Sequence, residues 1–252
     1  MRPIDSHAHI DDKSFDADRD KVLERIHDNM EFVVNVGCDM ESSRHSVEYA
    51  RAYKYFYATV GIHPIDIEKY NSDAEKELEE LAGYSKVLAI GEIGLDYHWM
   101  TQSKEMQIDG FQRQMKLAEK LGKPVVIHSR DAMEDTIQVL NKFTNVGGIL
   151  HCYPWTYDVA KKFLDRFYLG IGGVLTFKNS KKLVETVKNV PLDRLILETD
   201  CPYMSPEPLR GTRNEPCNVE YVARKIADIK NISYDEVIET TNINTKKAYH
   251  MD

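Results

Sequence analysis

The sequence predicts an α/β fold of the (β/α)8 TIM-barrel type on three observations. Eight short apolar runs of β character alternate with amphipathic stretches of helical period. The chain is 252 residues long, the usual size of one such barrel, and 42 % of it is apolar, enough for one substantial core. Alternation of strand and helix implies parallel βαβ units, and eight of them favour closure over an open doubly wound sheet. One domain, residues 1–252, is therefore expected.

Taken in order, the first run, residues 4–10, places His7 and His9 two residues apart, so that in a strand both imidazoles project from the same face. A helix over 16–29, a strand over 31–36, a helix over 41–53 and a strand over 55–61 follow, the last running into Gly61-Ile62-His63-Pro64. Ser72-Asp73 announces a helix over 74–82, whose acidic run reads as a solvated face. The fourth strand, 87–92, carries Val87-Leu88-Ala89-Ile90 and ends on Glu92. Gly122-Lys123-Pro124 closes the helix over 104–121, glycine then proline being stop signals. The strand over 124–128 ends on His128 and, after a helix over 132–143, the strand over 147–151 ends on His151. A helix over 156–164, a strand over 167–172 and a helix over 181–187 lead to the eighth strand, 194–199, which Asp200 follows. The chain then turns irregular and proline-rich to Pro216, and helices over 219–230 and 234–248 complete the ring.

The net charge of −8 excludes a protein that coats nucleic acid by bulk electrostatics, because that mode needs a basic field. A phosphate substrate would be held locally, with bound cations supplying the positive charge. Cys38, Cys152, Cys201 and Cys217 form no C-x-x-C pair and read as free thiols in a reducing compartment, Cys152 and Cys201 as packing residues. No apolar run spans a bilayer, and a cleaved leader would remove ligands that begin at residue 7. A cytoplasmic protein with no membrane association and no obligate protein partner is expected.

In a (β/α)8 barrel all strands deliver their carboxyl ends to one rim, where catalytic residues stand. His7, His9, Glu92, His128, His151 and Asp200 all meet that rule. Imidazole with carboxylate suits zinc, manganese, iron or nickel, and carboxylates also accept magnesium. Six such groups exceed the needs of one four-coordinate ion, whereas two ions about 3.5–4 Å apart would share them through a bridging carboxylate. A binuclear site with two divalent ions (Mg, Mn, Zn or Ni) is the expectation.

These residues sit in segments that together resemble the TatD family of metal-dependent deoxyribonucleases, within the amidohydrolase-like barrels. The segments are Asp5-Ser6-His7-Ala8-His9, Gly61-Ile62-His63-Pro64, Gly91-Glu92-Ile93-Gly94-Leu95-Asp96-Tyr97, Val126-Ile127-His128-Ser129-Arg130-Asp131-Ala132, Glu198-Thr199-Asp200-Cys201-Pro202-Tyr203 and Arg210-Gly211-Thr212-Arg213-Asn214-Glu215-Pro216. The resemblance implies that His7, His9, Glu92 and Asp200 surround one metal while Glu92, His128 and His151 hold the other, with Glu92 bridging. It also implies hydrolysis of DNA phosphodiesters, typically from an end. One departure is that His151-Cys152-Tyr153-Pro154-Trp155 replaces the family's usual His-Cys-Phe-Ser-Gly, a stiffer and bulkier loop that bears on substrate fit.

On this reading Asp200 orients or deprotonates the attacking water, and Glu92 is counted with it as catalytic. His63, Arg130 and Arg213 are candidates for binding substrate phosphate. For His63 the resemblance is the ground; for the arginines it is their place in the loops after strands five and eight, where a salt bridge of Arg213 with Glu215 is an equal alternative. Tyr97, Tyr153 and Trp155 suit either stacking on bases or packing at the rim. Asp96 is placed to hydrogen-bond a ligand histidine. The competing reading is a binuclear esterase or amidase, including one acting on an aminoacyl-RNA ester. Related amidohydrolases commonly bridge their metals with a carboxylated lysine on strand four; here that strand ends in Glu92, and no lysine follows until Lys104. A barrel that kept its ligands and lost turnover is the non-enzymatic alternative.

Overall fold

The computed structural model describes residues 1–251. Eight strands lie in one sheet in sequence order: β1 (Ile4–Ala8), β2 (Phe32–Val36), β3 (Phe56–Val60), β4 (Val87–Asp96), β5 (Val125–Arg130), β6 (Gly148–Leu150), β7 (Phe167–Ile171) and β8 (Leu195–Leu197). A parallel bridge between Ala8 and Cys201 brings the segment after β8 alongside β1. With the helices that alternate with the strands, this is the (β/α)8 barrel that the sequence predicts. By its contacts the chain divides into two compact units, residues 1–35 with 152–247, and residues 36–151 with 248–251.

In the first unit β1 pairs with β2 and β7 with β8, both in parallel. Around them stand α1 (Arg19–Asn29), α6 (Tyr157–Ala160), α7 (Lys181–Asn189), α8 (Val219–Lys230) and α9 (Tyr234–Ala248). Helix α6 is much shorter than the expected 156–164, because residues 161–166 run on as successive turns instead of regular helix. Ile4, Ile26, Val33, Phe163, Phe167, Ile196 and Ile226 are fully buried, each contributing about 1.5–3 kcal/mol by leaving water.

In the second unit β3, β4, β5 and β6 pair in parallel, with α2 (Met40–Ala52), α3 (Ser72–Ala82), α4 (Lys104–Leu121) and α5 (Met133–Lys142). Helix α2 starts in a capping box: the Asp39 carboxylate accepts from Ser42 N and the Ser42 hydroxyl accepts from Asp39 N. Helix α3 begins earlier than Ser72-Asp73 suggested, because Asn71 is the cap, its side chain accepting from Asp73 N and Ala74 N. Helix α4 has the expected limits and ends on Gly122 in the left-handed conformation (φ 63°).

Strand β4 overruns its expected end and continues to Asp96. Its pairing with β5 slips between Ile90 and Ile93, and Glu92 N donates to Gly37 O at 2.8 Å. An irregularity of this kind re-aims one side chain without ending the strand. Beyond it, Gly94 lies so close to β5 that a Cβ there would come within 2.0 Å of His128 O, at a φ of 145° that only glycine adopts freely. The close approach sets His128 beside the end of β4.

Candidate metal centre

In the first unit the site starts from a buried acid. One Asp5 oxygen accepts from His7 N (3.2 Å) and Thr199 N (2.9 Å), and the other accepts from the Thr199 hydroxyl (2.5 Å). This single carboxylate ties β1 to the segment after β8. Full burial pushes its pKa up to about 8, the hydrogen bonds only partly offsetting the loss of solvent. His7 and His9 follow Asp5 by two and four residues, and Asp200 follows Thr199 directly. His7 Nε2 and His9 Nε2 are 3.2 Å apart, and Asp200 Oδ1 lies 3.7 Å from the former and 3.3 Å from the latter. Asp200 adopts φ 55°, a region uncommon outside glycine, and its N–H is fixed on His7 O at 2.9 Å. The Asn214 amide secures the following loop by donating to Thr199 O and Tyr203 O.

In the second unit the hub is Glu92, 4 % exposed. Its Oε1 lies 2.9 Å from His128 Nδ1, 3.8 Å from His151 Nε2 and 4.0 Å from His63 Nε2, and the Cys38 thiol donates to Oε2 at 3.4 Å. His128 is gripped from its other side by Asp96 Oδ2, 3.1 Å from Nε2. Burial opposes charge on this imidazole, yet its bonds to Asp96 and Glu92 outweigh burial and lift its pKa above the ordinary histidine value. At Asp96 burial likewise raises the pKa, but the bond from His128 and those from Trp99 N and His98 N prevail and bring it down to about 2.

The site is supported from behind by helix α4. Gln107 accepts from Asp96 N (2.9 Å) and donates to Asp96 O (3.0 Å), while Gln114, two turns on, does the same for Ile62 N (2.8 Å) and Ile62 O (2.9 Å). Each buried amide completes the hydrogen bonding of a backbone that has left the sheet ladder beside a site residue.

The donor sets fit divalent cations. An ion about 2.0–2.2 Å from each of several tetrahedral ligands holds the ligand atoms about 3.4 Å apart. His7, His9 and Asp200 converge at 3.2–3.7 Å. Glu92, His128 and His63 gather within 4.8 Å of one another, and His151 faces the same Glu92 oxygen.

The expected substrate-binding residues divide. His63 joins the Glu92 cluster, its ring 4.3 Å from that of His128. Arg130 is exposed and has no carboxylate at ion-pair distance among the described residues. Arg213 is committed: it donates to both oxygens of Asp18 (2.5 and 2.9 Å) and to Glu215 (2.9 Å), the salt-bridge alternative with Asp18 added. Tyr153 and Trp155 are buried, 2 % and 8 % exposed, so both pack instead of presenting faces to a ligand. Cys201 is fully buried. Sequence reasoning missed Cys38, although it follows β2 and the strand-end rule would have found it. It also passed over Glu198, a buried carboxylate that accepts from Cys152 N (2.6 Å), the residue after His151. Gly170 leaves room for it, since a Cβ there would meet Glu198 Oε2 at 2.2 Å.

Comparison with known proteins agrees with this geometry. The family described as TatD related DNase matches residues 4–250. The metal-dependent hydrolase YabD of Bacillus subtilis (strain 168) is 40 % identical over 253 residues, spanning 99 % of each chain. A protein of Cronobacter sakazakii named 3'-5' ssDNA/RNA exonuclease TatD is 32 % identical, spanning 98 % of this chain and 97 % of its own. Among solved structures, the TatD homologue YJJV of Escherichia coli K12 superposes with a TM-score of 0.92 at 26 % identity, covering 100 % of this chain and 99 % of that one. The chain therefore belongs to the TatD family of metal-dependent hydrolases.

Proposed function

We propose that this hydrolase cleaves DNA phosphodiester bonds from a single-stranded end, with residues 1–252 acting as one catalytic domain. In this reading His7, His9 and Asp200 hold one divalent cation and His128 and His151 a second, with Glu92 shared between them. The observation that carries it is the convergence of imidazoles on carboxylates in two clusters, His7, His9 and Asp200 with ligand atoms 3.2–3.7 Å apart, and Glu92 with His128 and His151 at 2.9 and 3.8 Å. The name of the Cronobacter relative supports a nucleic-acid substrate. None of the described helices is long and apolar enough to cross a membrane; a cytoplasmic location is part of the proposal.

When bound, the cations lower the pKa of water and neutralise charge on the phosphate. The chain's own residues do the rest. Asp200 turns Oδ1 to His7 and His9; the same carboxylate would orient the attacking water and take its proton as the water oxygen attacks phosphorus in line with the departing oxygen. Asp5 and the Asp200 N–H keep that carboxylate in its left-handed backbone pose. His63 donates to a non-bridging phosphate oxygen, and Arg130, unpaired among the described carboxylates, takes the neighbouring phosphate.

The test is cleavage of 5′-labelled single-stranded DNA with Mg²⁺, Mn²⁺ or Zn²⁺, beside Glu92→Ala and EDTA controls. A metal-dependent ladder absent from both controls is expected, with Asp200→Asn strongly impaired. Retention of full activity by Asp200→Asn overturns its assignment. Hydrolysis of aminoacyl-tRNA without cleavage of DNA would transfer the site to the ester class.

A further inference from the structure

The segment that joins β4 to α4 holds the most exposed tryptophan, tyrosine or phenylalanine among the described residues. Trp99 leaves 57 % of its surface in solvent and Met100 beside it 49 %. Together the indole and the thioether form a contiguous exposed apolar surface, the kind that a ligand covers. Three observations say what kind. The Arg130 guanidinium stands over one face of the Trp99 ring, 5.8 Å from its centroid, and has no carboxylate at ion-pair distance among the described residues. The His98 ring meets Trp99 edge-on at 4.8 Å and is itself held by Asp131 at 3.4 Å, which props the plate upright. Asp96 accepts from Trp99 N (2.8 Å) and His98 N (2.9 Å) with one oxygen while its other oxygen grips His128. The plate is thus fixed to a metal-ligand histidine by one carboxylate.

From this we infer that Trp99 and Arg130 form a nucleotide subsite, in which an unpaired base stacks on the indole and Arg130 takes the adjoining phosphate. The inference rests on the nuclease reading and deepens it by naming the side chains that would take one unpaired base and its phosphate. A base offers a free face only when it is unpaired or terminal, and in a duplex both faces are already stacked. With a net charge of −8 the chain has no basic field to draw in a double helix, whereas one flat hydrophobic face and one cation suffice for a strand end. Stacking of this kind tolerates every base, so the subsite selects strandedness and not sequence.

The chain has two tryptophans, and Trp155 is 8 % exposed, so Trp155→Phe leaves Trp99 as the reporter. Its fluorescence is titrated with a phosphorothioate-linked thymidine oligomer and with the same backbone lacking bases. In parallel, KM and kcat on ordinary oligomers are measured for wild type, Trp99→Ala and Trp99→Phe. The expected result is quenching by the base-bearing oligomer and little by the abasic one. Trp99→Ala should raise KM about 5- to 150-fold with little change in kcat, and Trp99→Phe should restore most of it. Equal quenching by both oligomers, or an unchanged KM in Trp99→Ala, overturns the subsite while leaving the nuclease reading intact. Base-dependent quenching by a protein that hydrolyses no oligomer upholds the subsite and overturns the nuclease reading instead. Neither quenching nor hydrolysis overturns both.

Discussion

Replacing Asp96 by asparagine should weaken one metal site without touching any ligand. The aspartate makes three charge-assisted hydrogen bonds, from His128 Nε2 at 3.1 Å and from the backbone of His98 and Trp99 at 2.9 and 2.8 Å. Asparagine keeps the shape and keeps an oxygen for the two backbone donors, but its amide nitrogen then faces His128 Nε2. Two donors cannot share that contact, so the ring must move its proton to Nδ1, the atom that lies 2.9 Å from Glu92 and is needed for a cation. Outer partners of this kind typically govern metal affinity by 10- to 100-fold, about 1.4–2.8 kcal/mol. Competition between the metal-free protein and a chromophoric chelator should show one step of binding weakened by that factor and the other unchanged. Hydrolysis should recover as metal is raised. In the metal-free protein the His128 pKa, read by its ring proton resonances, should fall, because the Asp96 bond is one of the two contacts that raise it. Metal affinity unchanged from wild type at both steps, with His128 unmoved, would show that Glu92 alone fixes the ring.

Asp5 predicts the pH dependence of stability. Its folded pKa, about 8, lies above the ordinary value of 3.8, so the native state favours its protonated form. The resulting stability is complete below pH 4 and is lost as pH rises towards 8; the metal-free protein should therefore lose melting temperature across that window, and Asp5→Asn, neutral throughout, should flatten the curve. Gly94→Ala places a methyl about where His128 O already sits and forces a φ that alanine resists, so chemical denaturation should show a loss of about 1–3 kcal/mol along with weaker metal binding. Arg213→Ala should lower thermal stability slightly, because Asp18 loses its two short bonds while Glu215 keeps Arg25, and KM for oligonucleotides should stay unchanged, whereas a raised KM would restore Arg213 to the phosphate.

The fold was legible because a parallel strand buried on both faces must be written as an apolar run, and the candidate ligands stand where such runs stop. Val87-Leu88-Ala89-Ile90 and Leu195-Ile196-Leu197 could hardly be read otherwise. Helix limits were recovered where the punctuation is strong, as at Gly122 and Pro124 around α4. They were missed where regularity gives way to turns, as after Ala160 in α6. The overrun of β4 was hidden by Gly94 and Asp96, residues that propensity assigns to loops but that serve here for close approach and for holding His128.

What the pattern could not show is the polar scaffolding behind the ligands. Glutamine on a helix counts as a solvent-facing residue in any hydrophobic periodicity, yet Gln107 and Gln114 are wholly buried and act as backbone surrogates for Asp96 and Ile62. The reason lies in the barrel itself. At the rim β3 ends at Val60 while β4 runs on beside β5 to Asp96, so the N–H and C=O of Ile62 and Asp96 have no strand partner on that side and have to be satisfied away from water. A side-chain amide sets an N–H donor beside a C=O acceptor, as the backbone of one residue does, so a glutamine placed every second turn of the covering helix can close that edge. The same constraint explains Asp5, which closes β1 against the Thr199 segment. Such residues are specified by where the sheet ends and not by local sequence, so they become readable only once the strand ends and the helix that covers them are known together.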